Sequence, residues 1–336
     1  NKPCQPELHF LPMTYDSANE NKNYAFFGEL SLPVSENLDI DLGVRYEDYD
    51  VDDITVPKVS AFYKVSDTLA LRASYEEVFR TPIIPNAIDT SLERIGGEYY
   101  EVQTPIPTNL QPESSDNINL GLIWTPVEGM RVNLDYYSLD MVDPIGKVST
   151  TSPLAIYNCA DGTNYSPPAA KPDTCQLINV TTNAINGEGI ETDGLDFQML
   201  YDFETSMGQA QVGFNGVYLL NYDIGGCLTA GCDKYDAAGK YNTRATGSPI
   251  RVRSMPELKM NFMASLFNGP HYLRAFVRYV SDYDVAESFA NAGAFASSPM
   301  GYDGKSIDDM ITVDLHYTYA VNDELDLSLS IVNVAD

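Results

Sequence analysis

The sequence predicts an all-β protein whose antiparallel strands form a transmembrane barrel, and three observations predict it. Apolar and polar residues alternate in about twelve separate stretches. Helical periodicity is nearly absent. Short connections rich in turn residues alternate with long ones along the chain, which gives the hairpins unequal ends.

The alternation is plainest in five stretches. In residues 38–46, Leu38, Ile40, Leu42, Val44 and Tyr46 share one face, and Asp39, Asp41, Gly43 and Arg45 share the other. Leu69, Leu71, Ala73 and Tyr75 likewise oppose Ala70, Arg72, Ser74 and Glu76. The same period runs through Leu195, Phe197, Met199, Tyr201 and Phe203, through Leu258, Met260, Phe262, Ala264 and Leu266, and through Leu325, Leu327, Leu329 and Ile331. Seven further strands are read at roughly 24–34, 55–65, 115–125, 130–142, 209–222, 272–283 and 309–320. One set of connections is tight: Ser35 to Asn37, Ser66-Asp67, Pro126 to Gly129, Glu204 to Gly208, Asn268 to Pro270 and Asn322 to Glu324. Apart from a short link near 49–54, the other set runs over 80–114, 145–187, 223–255 and 284–308 and is read as irregular. Connections that long are usually functional.

Composition narrows the environment. The chain carries 20 Lys+Arg against 48 Asp+Glu, a net charge of −28. No basic stripe exists to neutralise phosphates, so nucleic acid is excluded as a partner. No window approaches 18 consecutive apolar residues, which argues against a membrane helix but not against barrel strands of about 9–11 residues. The same alternation also fits a soluble β-sandwich or solenoid. Several strands here reach ten residues or more, against about 5–6 in sandwiches, and tyrosines such as Tyr46, Tyr75, Tyr136, Tyr279, Tyr317 and Tyr319 sit near strand ends. Both features favour the membrane. No signal peptide is visible, and "NKPCQPELHF" is read as a chain cut at its front, with residues 1–23 an extracellular loop.

Five cysteines are present. Cys159 and Cys175 share one long connection and Cys227 and Cys232 another, so each pair reads as a local disulfide formed in an oxidising compartment. A zinc site is the rival reading, but His9, His271 and His316 lie elsewhere. Cys4 has no evident partner. The stretch "EDYDVDDIT" sets Asp48, Asp50, Asp52 and Asp53 close together as a weak calcium candidate. Asp53 and Val59 stand where an EF-hand needs Gly and Glu, so a solvated acidic turn competes with it. No cofactor beyond that ion is expected, and no catalytic constellation stands out. For ligand capture the candidates are Arg80, Arg94, Tyr99 and Tyr100 on the first long connection and Tyr157 on the second. Acidic residues recur at positions facing the barrel interior, where they would line water. Arg244, Arg251 and Arg253 form a local basic cluster.

Four stretches in order resemble the barrel of TonB-dependent outer-membrane receptors: "LRASYEEVFRTP" (71–82), "LQPESSDNINLGLIWTPVEGMRVNLDYYSLDMVDPIG" (110–146), "GIETDGLDFQMLYDF" (189–203) and "TVDLHYTYAVNDELDLSLSIVNVAD" (312–336). Thr81 stands where the family usually has Ala. The resemblance implies about 12 of an expected 22 strands, all in one barrel domain spanning 1–336. It implies a plug domain, early strands and a final strand outside this chain. It also implies the cell outer membrane of a Gram-negative bacterium, with lipid and lipopolysaccharide around the barrel. The TonB complex would be engaged through the N-terminal region, and a metal chelate, cofactor or oligosaccharide would be taken up. A passive porin-like channel and a surface adhesin or phage receptor are the alternatives.

Overall fold

A computed structural model describes residues 22–49, 53–81, 88–95, 98–105, 110–147, 154–159, 164–165, 175–181, 184–187, 189–224, 235–241, 254–285 and 306–334. Twelve strands pair in chain order into one antiparallel sheet. They are β1 (Asn23–Ser35), β2 (Leu38–Tyr49), β3 (Asp53–Lys64), β4 (Leu69–Arg80), β5 (Glu113–Trp124), β6 (Met130–Val142), β7 (Ile190–Thr205), β8 (Gly208–Ile224), β9 (Leu258–Asn268), β10 (His271–Val280), β11 (Met310–Asn322) and β12 (Leu325–Ile331). All twelve coincide with the alternating stretches. The first begins at Asn23, and residues 1–21, most of the stretch read as an extracellular loop, lie outside the described part.

Register turns local alternation into two continuous faces. Leu42 faces Val59, Val59 faces Tyr75, and Tyr75 faces Ile118. Farther along, Leu134 faces Phe197, Phe214 faces Phe262, and Val277 faces Val313. The opposite face carries rows such as Ser60, Ser74 and Asn119. Among the described residues no second layer covers the apolar face: Phe26 is 70% exposed, Leu120 50% and Leu329 60%. Among the described residues the buried apolar side chains are only Val56, Ala210, Ile224, Ala237 and Ala238. A sandwich would bury that face against a second sheet, so the arrangement is the single-walled one that a barrel in lipid requires.

All the tight connections lie at one end of the sheet. The β7–β8 turn is typical. The Thr205 hydroxyl donates to the Gly208 carbonyl at 2.7 Å and accepts the Met207 N–H at 3.1 Å. Gly208 takes φ 122°, a conformation glycine adopts without strain.

The opposite end differs from the sequence reading. The long connections are not wholly irregular. Residues 88–95 and 98–105 form a hairpin, and they join 175–181, 154–159 and 164–165 in one five-stranded sheet built from two connections. Short strands at 240–241, 254–255, 283–285 and 306–307 make another. These segments lack a long alternating run of their own. Their ladders are short, and pairing between different connections, Gln103 with Thr181 and 240–241 with 284–285, joins them into sheets that no local pattern encodes.

Candidate functional site

At the loop end of the polar face, β1 to β4 enclose a recess of 590 Å³. Arg45, Glu47, Tyr49, Lys58, Phe79 and Arg80 are among its lining residues. Strand parity places Arg45, Glu47 and Tyr49 on one face of β2, two residues apart each. Glu47 is 5% exposed and accepts hydrogen bonds from the Arg45 guanidinium and the Tyr49 hydroxyl. The Tyr49 ring meets Phe79 edge-on, centroids 6.2 Å apart. Lys58 on β3 reaches Glu76 on β4 at 3.5 Å.

Glu47 lies beyond the apolar band, which on β2 ends at Tyr46 where Asp48 follows on the same face. Burial acts to raise its carboxyl, but the bonds from Tyr49 and Arg45 outweigh burial and hold it below the ordinary 4.5. An ionised, donor-saturated carboxylate fixes the Arg45 guanidinium and the Tyr49 ring in place at the mouth.

Arg80, a sequence candidate, stands at the end of β4. Its Nε pairs with Glu113 Oε2 at 2.5 Å, and Glu113 Oε1 also accepts the Ile145 N–H at 2.5 Å. Glu113 therefore ties the ends of β4 and β5 to the start of the connection after β6. Asn186 makes a second clasp. Its Oδ1 accepts the Gln111 N–H, and its Nδ2 donates to the Gln111 and Asp143 carbonyls, each at 2.8 Å. The roots of the connections 81–112 and 143–189 are thus held together. Sequence reading missed both clasps, because Glu113 and Asn186 meet partners more than thirty residues away.

Farther along the loop sheet, Arg94 stands opposite Tyr99, and Tyr100 opposite Glu93. Tyr157 lies on another strand of that sheet, opposite Leu177 and Tyr165. The backbone joins Arg94, Tyr99, Tyr100 and Tyr157 in one sheet and leaves Arg80 at the recess below. Cys159 and Cys175 occupy facing positions. Cys4, Cys227, Cys232, Arg244, Arg251 and Arg253 fall outside the described residues. So do Asp50 and Asp52, while Asp48 and Asp53 face each other across β2 and β3. No group of three His, Cys, Asp or Glu that could hold a metal occurs among the described residues.

Besides the acidic residues that recur at interior-facing positions, a second set lies on the other face. On the apolar side, just past the band, Glu77 faces Asp116, Asp116 faces Asp140, Asp140 faces Glu191, Glu191 faces Asp223, and Asp223 faces Asp236. Opposed like charges destabilise a ladder, and the row bounds the apolar band at the loop end of the sheet. Asp223 shows the strain. Burial, then the neighbouring Asp236 and Asp193, push its carboxyl above the ordinary 3.8, with Lys240 opposing.

Comparison with known proteins places this architecture. No curated protein matches. Among solved structures, the ferric enterobactin receptor PfeA of Pseudomonas aeruginosa superposes with a TM-score of 0.64 at 16% identity, covering 94% of this chain and 40% of that one. The siderophore receptor PirA of Acinetobacter baumannii gives 0.64 at 13% identity, with 94% and 42% covered. The copper transporter OprC gives 0.54 at 14%, also with 94% and 42% covered. The chain therefore spans about two fifths of the length of these structures. A family model described as the TonB dependent receptor-like β-barrel matches residues 5–334. The chain belongs to the TonB-dependent receptor β-barrel family.

Proposed function

We infer that the complete protein is an energised receptor of the Gram-negative outer membrane that captures a scarce solute at its loop end and passes it inward. The observation that carries this reading is the pairing of an uncovered apolar wall with a recess of charged and aromatic side chains at its loop end. Lipid supplies what the wall lacks, and lipopolysaccharide surrounds the end where the long connections lie. The tight turns then face the periplasm. The recess opens under the connections whose roots Glu113 and Asn186 hold together.

The solute is a metal chelate, a cofactor or an oligosaccharide. The recess suits a ligand with both polar and aromatic surface, because the ion-paired side chains of Arg45 with Glu47 and of Arg80 with Glu113 stand beside Tyr49 and Phe79. A ferric chelate is the first to test, since PfeA is by name a ferric enterobactin receptor and PirA a siderophore receptor. Coupling to TonB would run through the N-terminal region that such receptors carry.

The test is uptake of radioactive ferric chelates, cobalamin and oligosaccharides by cells bearing the full-length protein, with and without TonB. Saturable uptake that disappears without TonB supports the reading. Uptake that persists without TonB and rises linearly with concentration makes the protein a passive channel. Absence of uptake for all three classes removes the transport reading.

A further inference from the structure

We propose that a disulfide between Cys159 and Cys175 braces the two loop connections 81–112 and 143–189 into one lid. The argument rests on register. Strands 154–159 and 175–181 pair antiparallel from Leu154 opposite Thr181 to Cys159 opposite Cys175. The ladder is not regular. Ile156 faces Asn179, yet Tyr157 faces Leu177, so Ile178 is left over as an extra residue. A regular ladder would set Cys159 against Gln176. The one-residue irregularity instead sets the two cysteines on the same rung, and a slip of one residue decides which side chains can meet.

Directly opposed residues of an antiparallel pair have Cα atoms about 4.5 or 5.5 Å apart. A disulfide needs Cα atoms about 4.4–6.8 Å apart. The register therefore sets Cys159 and Cys175 on one rung, at a backbone separation a disulfide can span. Formation converts two thiols to one disulfide and releases two protons and two electrons. An oxidised dithiol oxidoreductase of the periplasm accepts the electrons by thiol–disulfide exchange, in a compartment where such bonds persist.

The position of the bond gives it a mechanical role. Strand 154–159 pairs with 164–165 on its other side, so the bond lies across the central ladder of a three-stranded unit. That unit meets the first connection where Thr181 pairs with Gln103. A single parallel rung is a weak joint, and loosening 175–181 frees it. The disulfide holds 175–181 from one end, and the ladder of 184–186 with 145–147 holds it from the other. Reduction therefore loosens the ladder that ends at the Thr181–Gln103 joint, while the root clasps of Glu113 and Asn186 stay in place.

This inference rests on the outer-membrane reading only for its oxidising compartment, and one experiment separates the two. Intact cells bearing the full-length protein are labelled with a membrane-impermeant maleimide before and after an impermeant reductant. The protein is then digested without reduction for peptide mass mapping. A linked Cys159–Cys175 peptide, with labelling of both only after reduction, is the expected result. Free thiols at either position, or a link from either to Cys4, Cys227 or Cys232, overturns the bond. A linked peptide that is labelled only in broken cells leaves the bond and removes the surface location. For the brace, C159S, C175S and the double variant should each raise protease cleavage in 81–112 and in 143–189 several-fold. Reductant on the unaltered protein should match them. If cleavage in 81–112 stays unchanged, the bond does not join the connections.

Discussion

Arg72 and Asp135 show how one residue's absence of a side chain makes an interaction. They stand on β4 and β6, two strands apart, yet the Arg72 Nε donates to Asp135 Oδ1 at 2.8 Å and its Nη2 to Oδ2 at 2.6 Å. Gly121 on the strand between is the gap through which they meet. A Cβ there would collide with the Asp135 carboxylate and the Arg72 guanidinium. Gly121→Ala should cost about 1–3 kcal/mol, as overpacking does, read by urea unfolding of the lipid-reconstituted full-length protein. Loss no larger than that of Gly28→Ala, where a Cβ meets nothing within 4 Å, would rule the gap unimportant. Asp223 supports a pH prediction of opposite sign to Glu47. Its folded carboxyl is raised above 3.8, so its contribution to stability is present below 3.8 and lost as pH rises through the raised value. Glu47 is lowered, so its contribution is present above 4.5 and lost as pH falls through the lowered value. Asp223→Asn should therefore stabilise the neighbouring segment by about 0.2–1 kcal/mol at neutral pH and change nothing below 3.8. Hydrogen exchange of the Ala237 N–H, which donates to the Tyr222 carbonyl at 2.8 Å, reports it. None of these residues could be paired from the sequence. Gly121 reads there as a small member of an alternating strand, and only register reveals what passes over it.

At the scale of elements, legibility follows the distance over which the information acts. The twelve sheet strands were legible because period-two alternation is written within each strand, and the tight turns because residues such as Gly208 are chosen by local backbone geometry. The strands inside the long connections were not legible. Residues 88–95 become a strand by pairing with 98–105, and that hairpin is extended by 175–181 from a different connection. The acidic row was hidden for the same reason. Asp116 and Asp140 look like single interruptions of two apolar faces until register sets one against the other. Asn186 ties the roots of those connections and supplies the element-scale prediction. Asn186→Ala removes three hydrogen bonds, to Gln111 twice and to Asp143. The partners Gln111 and Asp143 are exposed, so water replaces the lost bonds in part and each costs at most about 0.5–1.5 kcal/mol. Protease cleavage near 111 and near 186 should rise together in Asn186→Ala, with global unfolding unchanged. A rise at one site alone would mean that the clasp does not couple the two roots.

For the whole molecule, the two faces make opposite demands on solvent, and this fixes how the protein must be housed. Leu120 lies on the apolar face between Trp124 near the turn end and Asp116 in the acidic row, and it is half exposed with no protein over it. Ser74 lies on the same pair of strands, facing Asn119 on the polar side, where Ser60 flanks it. If lipid covers the first face and water the second, arginine should be tolerated on one and not the other. Leu120→Arg places a charge near the middle of the apolar band and should cost about 2–4 kcal/mol, whereas Ser74→Arg enters a polar wall and should cost little. The measurement is the amount of folded full-length protein in the outer-membrane fraction, scored by its resistance to heat-induced shift on electrophoresis. The difference matters more than either value, because both substitutions add the same bulk and charge to adjacent strands. Equal loss from both would mean that the apolar face meets protein rather than lipid, and the receptor reading would lose the wall on which it stands. Loss from Leu120→Arg alone would assign solvent to each face and place the recess of Arg45, Glu47 and Arg80 at the water-filled mouth of the barrel.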